Sequence, residues 1–273
     1  EAFKKGLYLV NPEGDPSKWN TAYDFPAVND GRVARETFDT ATPKGMSGFV
    51  FNPRRPYFAD IRVRKALAKL IDFEWINKNL YYNSFIRADG YFNDSELSSI
   101  GRPVSDRERA LLEPFPDAAS EEVMAGTYRP TSMADGERRV LRQALSELQE
   151  AGYEIRGDVL VNAATGVPLA FEILVATRED ERLALAYQRT LARIGVKVSV
   201  RSVESSQYQK RRQTFDFDMI RFTWVVSLSP GNEQLNRWSS AAADIEGSFN
   251  YPGAKEPALD ALIEAMLSAP TRE

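Results

Sequence analysis

The sequence predicts an α/β fold, a parallel or mixed sheet flanked by helices, with long irregular segments beside it. Two observations carry this. From residue 158 onward, segments alternate as strand–helix–strand–helix–strand, two βαβ units that favour a right-handed parallel sheet. Upstream, a proline-bounded strand–turn–helix separates two stretches that lack either periodicity.

Residues 1–6, EAFKKG, read as the last turns of a helix stopped by Gly6. Residues 7–47 are rich in Pro, Gly, Asp, Asn and Thr and read as connection and surface structure, SKWNTAYDFPAV at 17–28 included. GFVF, starting at Gly48, is a short apolar strand that runs into Asn52. The turn Pro53-Arg54-Arg55-Pro56 follows, rigid and expected to be solvated. Asp60 opens a helix, because its carboxylate can accept from the first free backbone N–H groups. Val63, Ala66, Leu67, Leu70 and Ile71 recur at the spacing of one buried helical face. Residues 84–135 form a second irregular region, with Pro103, Pro114, Pro116 and Pro130. Loops this long are usually functional or wrap a neighbouring domain.

Regular patterning returns at Asp135. GERRVLRQALSELQEAG puts Val140, Leu141, Ala144, Leu145 and Leu148 on one face and ends at Gly152. Residues 158–162 and 168–175 read as strands around an Ala-Thr-Gly turn. The second, LAFEILVA, is apolar on both faces, as a buried strand is. Residues 179–194 are helical, with Leu183, Tyr187, Thr190, Leu191 and Ile194 in register and Gly195 as the stop. Glu179, Asp180 and Glu181 fall in the first turn, where the helix dipole favours acids. VKVSVRSV alternates as a strand, SSQYQKRRQ is a short polar helix, and FDMIRFTWVV is a third buried strand. DALIEAMLSA is a last helix, stopped at Pro270. The strand ends fall near Thr177, near Ser205 and at Trp224 to Ser229, and ligands of parallel sheets sit beyond such ends.

Composition narrows the function. The 273 residues hold one large or two ordinary domains. At 43% hydrophobic and 27% charged, the chain has the balance of a soluble globular protein. The net charge of -4 comes without a basic face, so nucleic acid is not an expected partner. No apolar run reaches the ~20 residues of a membrane span. The absence of His and Cys removes Ser-His-Asp and Cys-His schemes and the favoured zinc ligands, and no metal or cofactor is expected. Cys-free composition is compatible with a bacterial periplasm. The chain starts at Glu1 with no signal peptide in view, which reads as a piece of a longer protein.

A resemblance adds function. Asn52, Pro56, Phe58, Asp60, Arg62, Val63, Arg64, Ala66, Leu67, Ile71 and Asp72 stand where family 5 extracellular solute-binding proteins carry their hallmark segment. These are the dipeptide, oligopeptide and nickel receptors of ABC importers. FEWINKNLYYNSFIRADGYFNDSEL and the SPGNE turn resemble the YejA-like branch, linked with oligopeptides and microcin C. The resemblance implies a type II periplasmic-binding-protein-like lobe, a periplasmic location and a monomer working with ABC permease subunits. It also implies domain limits: residues 1–47 connecting from the other lobe, 48–227 the ligand-binding lobe, and 228–273 a returning segment with the C-terminal helix. Because family members are roughly twice this length, the chain reads as mostly one lobe.

The resemblance also directs attention to FDMIRFTWVVSLSPGNEQLNRW. Peptide-binding relatives place a Trp at this strand end and, three residues on, an Asp that holds the ligand's α-ammonium. Here these positions are Trp224 and Ser227, so the expected acid is absent. A hydroxyl can bond an amine but supplies no charge. Either Glu233 takes over, or the ligand presents no free amino terminus there. Some oligopeptide binders use an Arg at the position of Arg221 to meet the peptide carboxylate. Arg221 lies in an apolar strand, on the face opposite Phe222 and Trp224, and needs either a carboxylate ligand or a structural salt bridge. Tyr91 and Phe92 in the long loop, and Tyr23, are further aromatic candidates for ligand contact.

The expected function is therefore a substrate-binding component of an ABC importer, taking peptides or peptide-like solutes, without enzymatic chemistry. One rival is an α/β carboxylate-dependent hydrolase, which requires two convergent acids in one cleft. Another is a receptor-fold sensor that has lost its transport ligand, kept open by Ser227.

Overall fold

The computed structural model describes residues 1–270. Its elements begin with α1 (Pro16–Thr21), α2 (Pro26–Asn29), β1 (Met46–Phe51), α3 (Pro56–Ala59), α4 (Ile61–Ala68) and α5 (Phe73–Leu80). Next come α6 (Asp106–Leu112), α7 (Glu121–Met124), α8 (Glu137–Glu150), β2 (Tyr153–Arg156), β3 (Val159–Asn162) and β4 (Ala170–Val175). Last are α9 (Arg178–Ala192), β5 (Lys197–Ser202), α10 (Ser205–Gln213), β6 (Met219–Trp224), α11 (Glu233–Trp238) and α12 (Pro257–Ser268). By its contacts the backbone divides into two units: residues 1–41 with 73–87, and residues 42–72 with everything from 88 onward.

The first unit is built from short pieces. Residues 2–6 form only turns, closed by Gly6 at φ +71°, where a helix end was expected. Asp15 caps α1, accepting from the N–H groups of Ser17 (2.8 Å) and Lys18 (3.2 Å). Helix α5 ends in a loop fixed by Asn77, whose carboxamide donates to Phe85 O (2.7 Å) and accepts from Phe85 N–H (3.1 Å).

The second unit holds a four-stranded mixed sheet in the order β1-β6-β4-β5. Strand β4 runs parallel to both β5 and β6, and β1 runs antiparallel to β6, from Met46 opposite Trp224 to Phe51 opposite Met219. This is the expected α/β arrangement. One face carries α4, α8 and α9, with Leu67, Leu70, Val140, Leu148, Ile173 and Leu191 closing the larger core. Asp60 caps α4 through Arg62 N–H at 2.8 Å. The helix stops at Ala68, yet Leu70 is fully buried, so the apolar stripe continues into the turn. Tyr187 Oη donates to Leu67 O at 2.7 Å, and full burial pushes its phenol above the usual range. The other face packs Leu174, Phe217, Ile220, Trp224 and Tyr251 against Tyr208 and Trp238.

Strands β3 and β4 are the two expected around the Ala-Thr-Gly turn, while one strand was missed and one expectation is corrected. Strand β3 pairs with β2, a strand absent from the sequence reading, and meets the second segment at Val161 opposite Pro168, where Leu169 N–H donates to Leu160 O at 2.8 Å. Gly195, at φ +80°, explains the insertion of this ribbon: a Cβ there would lie 2.7 Å from Leu160 N.

The corrected expectation is the arginine turn, which is not solvated. Asn52 is completely buried and donates to Phe215 O (3.0 Å) and Phe217 O (2.7 Å). Its Oδ1 accepts from Arg54 Nη1 at 3.0 Å. Arg54 itself lies over the Phe215 ring at 3.7 Å and donates to the carbonyls of Ala243, Asn250 and Tyr251. Burial holds the Arg54 guanidinium below its ordinary pKa, an effect Asp244 partly offsets. Arg55 pairs with Asp218 at 2.8 Å and Asp216 at 3.2 Å. The prolines fix the turn so that both arginines reach back along β6 instead of out to water.

Candidate functional site

The parallel strands end at Val175, Ser202 and Trp224, so the candidate site is built from the far end of β6 upward. Along β6, alternation sends Arg221 to the α9 face and Phe222 and Trp224 to the aromatic face. The chain before β1 passes close to this end. Gly45 sits at φ +72°, and a Cβ there would lie 2.4 Å from Trp224 O, so no larger residue fits.

Trp224 is 4% exposed. Trp238 stacks on it, centroids 5.1 Å apart at 30°, and Phe222 meets it edge-on at 4.9 Å. Tyr91 stands edge-on to Trp238 at 5.1 Å and to Phe92 at 4.9 Å. Tyr251 packs edge-on against Phe222 at 4.7 Å. Such pairs contribute about 1 kcal/mol each beyond burial, so the wall is stiff. Its polar edge is less complete: Trp224 Nε1–H is buried and has no hydrogen-bond partner among the described residues.

The other candidates are arranged as follows. Arg221 Nη1 donates to Asp180 at 2.7 Å and lies 3.7 Å from Glu179. Of the two alternatives left open for Arg221, the structure contains the salt bridge. The acids are fixed by the α9 start, where Thr177 Oγ1 accepts from Asp180 N–H at 3.0 Å. Ser227 closes its own turn, donating to Ser229 O (3.0 Å) and accepting from Ser229 N–H (3.2 Å). Glu233 accepts from Gly231 N–H with both oxygens, at 3.0 and 3.1 Å, and from Gln234 Nε2 at 3.0 Å. Burial alone would raise its pKa, but these donors and Arg237 outweigh it and hold the carboxyl below the usual range. Tyr91 Oη accepts from Arg237 Nη1 at 2.8 Å.

The structure thus brings Tyr91, Phe92 and Trp224 into one wall with Ser227 and Glu233 following in the chain, and turns Arg221 away from it. Tyr23 belongs to the first unit, where its hydroxyl accepts from Asn11 (2.5 Å) and donates to Glu13 (3.2 Å). Trp238, Arg237 and Tyr251 were missed. The six-residue α11 is too short to show a period, and Tyr251 sits in an Asn-Tyr-Pro-Gly turn. Trp238 carried one signal, an aromatic residue soon after the SPGNE turn.

A recess of about 630 Å³ lies elsewhere, lined by Phe171, Glu172, Gln188, Lys197 and Asp218 at the starting ends of the parallel strands. Its acids are engaged: Asp218 by Arg55, and Glu172 by Arg211 at 3.0 Å and Arg201 at 3.6 Å. Among the described residues, no group of three or more His, Cys, Asp or Glu is arranged to hold a metal ion.

The chain is similar to known proteins over its whole length. It is 46% identical over 282 residues to the peptidoglycan-binding protein YepA of Agrobacterium fabrum, covering 100% of this chain and 46% of that one. It is 42% identical over 277 residues to the probable peptide-binding protein YejA of the same organism, covering 100% of this chain and 45% of that one. The chain thus spans just under half the length of these relatives. The fold matches the oligopeptide-binding protein AppA of Bacillus subtilis, solved with a nonapeptide, at TM-score 0.64 and 20% identity over 94% of this chain and 44% of that one. It matches NikA of Brucella suis, solved with Fe(III)-EDTA, at TM-score 0.65 and 19% identity over 99% of this chain and 47% of that one. The family model for bacterial extracellular solute-binding proteins, family 5, matches residues 1–245. The chain belongs to that family of solute-binding proteins.

Proposed function

We propose that this chain supplies most of one lobe of a periplasmic receptor for an ABC importer, and that the receptor takes peptides or peptide-like solutes. The observation that carries the reading is the rigid aromatic wall of Tyr91, Trp224 and Trp238 at the end of β6, with a buried indole N–H left without an acceptor. Peptide recognition calls for such a surface: apolar walls with a few directed polar groups. The similarity to proteins named for peptide and peptidoglycan binding supports the same class.

In this reading Trp224, Tyr91 and Phe92 contact solute, Ser227 shapes the turn beside it, and Glu233 sets the local charge. Arg221 holds the α9 start against β6, and Tyr23 is a separate aromatic candidate for solute contact. Residues 1–47 are chain arriving from the other lobe, 48–227 the ligand-binding lobe, and 228–273 the returning segment. The receptor works as a monomer with membrane permease subunits, and the site performs no covalent chemistry.

The test uses the full-length receptor and the 273-residue chain side by side. A thermal-shift screen of the receptor with di-, tri- and oligopeptides is expected to raise its Tm. The chain alone is expected to show no measurable affinity in calorimetry, because half the contacts are missing. A receptor indifferent to every peptide overturns the solute class. Micromolar binding by the chain alone overturns the one-lobe assignment.

A further inference from the structure

At the end of β6 two donor groups are left with capacity to spare. The Ser227 hydroxyl uses its proton and one lone pair within its own turn. The Glu233 carboxylate is occupied by Gly231 N–H and Gln234 Nε2. Trp224 Nε1–H, on a side chain more than nine-tenths buried, has no acceptor among the described residues. Arg237 is partly buried, and its only hydrogen bond among the described residues goes to the Tyr91 hydroxyl. No carboxylate among the described residues forms an ion pair with it. Arg212 lies nearby: its guanidinium is 5.1 Å from the Phe222 ring and donates to Gln209 Oε1, while its Nε–H is buried without an acceptor among the described residues.

A buried donor without an acceptor costs roughly 1–3 kcal/mol, which an incoming acceptor recovers. A guanidinium whose one hydrogen bond goes to a neutral phenol keeps its remaining N–H groups available, although Glu233 partly offsets its charge. Binding therefore favours a partner that brings acceptors and negative charge, and charge-assisted bonds of this kind are the strong ones. Tyr91 aims the cation: its ring is fixed edge-on to Trp238, and its oxygen holds Arg237 Nη1.

We propose that this site receives an anionic group, a carboxylate of a peptide-like solute, with Arg237 as the residue that selects it, Tyr91 positioning Arg237, and Trp224 Nε1 donating to a neighbouring acceptor of the same solute. The inference rests on the peptide-receptor reading and reverses the polarity expected of a site built around an acid for an α-ammonium.

Three pools of tripeptides separate the cases in thermal-shift and calorimetric titrations of the full-length receptor: free at both ends, N-acetylated, and C-terminally amidated. The free and acetylated pools are expected to bind alike, and the amidated pool to bind about tenfold more weakly. Arg237→Gln is expected to remove that acid-over-amide preference, and Arg237→Lys to restore part of it. Tyr91→Phe is expected to reduce the preference while the aromatic packing and the Tm of the empty receptor stay unchanged. The wild-type comparison needs no variant, so a misfolded substitution does not blunt the test. If acetylation weakens binding more than amidation, the site holds an amine and the proposal falls. An Arg237→Gln receptor that keeps the tenfold preference overturns it equally. If none of the pools binds, the peptide reading itself fails, and this proposal with it.

Discussion

Trp224 and Trp238, fourteen residues apart in sequence, lie with ring centroids 5.1 Å apart and planes 30° from parallel. The contact joins the end of β6 to α11, so its strength is measurable as a coupling between two elements. Urea denaturation of Trp224→Leu, Trp238→Leu and the double variant is expected to give an interaction energy of about 1 kcal/mol. Additive losses would show that the rings merely share a neighbourhood.

Asn52 carries a heavier structural role. Its carboxamide is the partner of two buried carbonyls, Phe215 O and Phe217 O, and of Arg54. Asn52→Leu leaves those groups without a partner and is expected to cost about 3 kcal/mol in chemical denaturation. Asn52→Asp, which keeps the acceptor but not the donor, is expected to cost at least as much.

The Arg221–Asp180 pair predicts a non-additive result. Asp180→Asn removes the nearest charge from the partly buried guanidinium, and a loss of about 2 kcal/mol is expected after discounting for solvent. Removing both charges with Arg221→Met is expected to recover part of that loss. A double variant whose loss equals the sum of the two single losses would show the pair to be inert.

Gly45→Ala is expected to destabilise the end of β6, because the new methyl meets Trp224 O and the left-handed backbone angle resists any side chain. A shift in the near-ultraviolet circular dichroism of the tryptophans would report it. An unchanged spectrum and melting curve would contradict the close approach.

Two groups give opposite pH dependences. Burial raises the Tyr208 phenol to about 12, partly offset by Arg212, and the hydroxyl donates to Arg221 O at 2.9 Å. Its contribution to stability is complete below the ordinary value of 10.0 and is lost as pH rises toward 12. Glu233 runs the other way: its contribution is present above the ordinary 4.5 and lost as pH falls through a lower value. Tyr208→Phe is expected to flatten the alkaline limb of a stability–pH curve, and Glu233→Gln the acid limb.

The sheet was legible because β4, α9, β5 and β6 announce themselves by uninterrupted periodicity and clean glycine stops. Strand β2 was not, because YEIR is four residues long and half exposed, below what alternation can establish. Arg54 and Arg55 misled for a different reason. Prolines fix where a turn starts, but they do not say whether its side chains meet water or a distant carbonyl. At the candidate site, Trp224 and Tyr91 stood out as aromatics at a strand end and in a long loop. Arg237 did not, since its environment depends on Tyr91, 146 residues away in sequence. For Arg221 the sequence offered two kinds of partner without choosing, because the position of Asp180, which the structure places against it, is not legible in the strand itself.

The antiparallel pairing of β1 with β6 has a consequence for synthesis. Met46 finds its partner only at Trp224, and Asn52 its partners only at Phe215 and Phe217. A nascent chain emerging from the ribosome must therefore carry an unmatched β1 edge and an unsatisfied carboxamide until nearly all of the second unit has been made. Closing so long a loop delays the reward for every contact that depends on it. During that interval the apolar MSGFVF strand is exposed to pairing with other chains, and holding it apart until β6 arrives is a task for whatever meets the growing polypeptide.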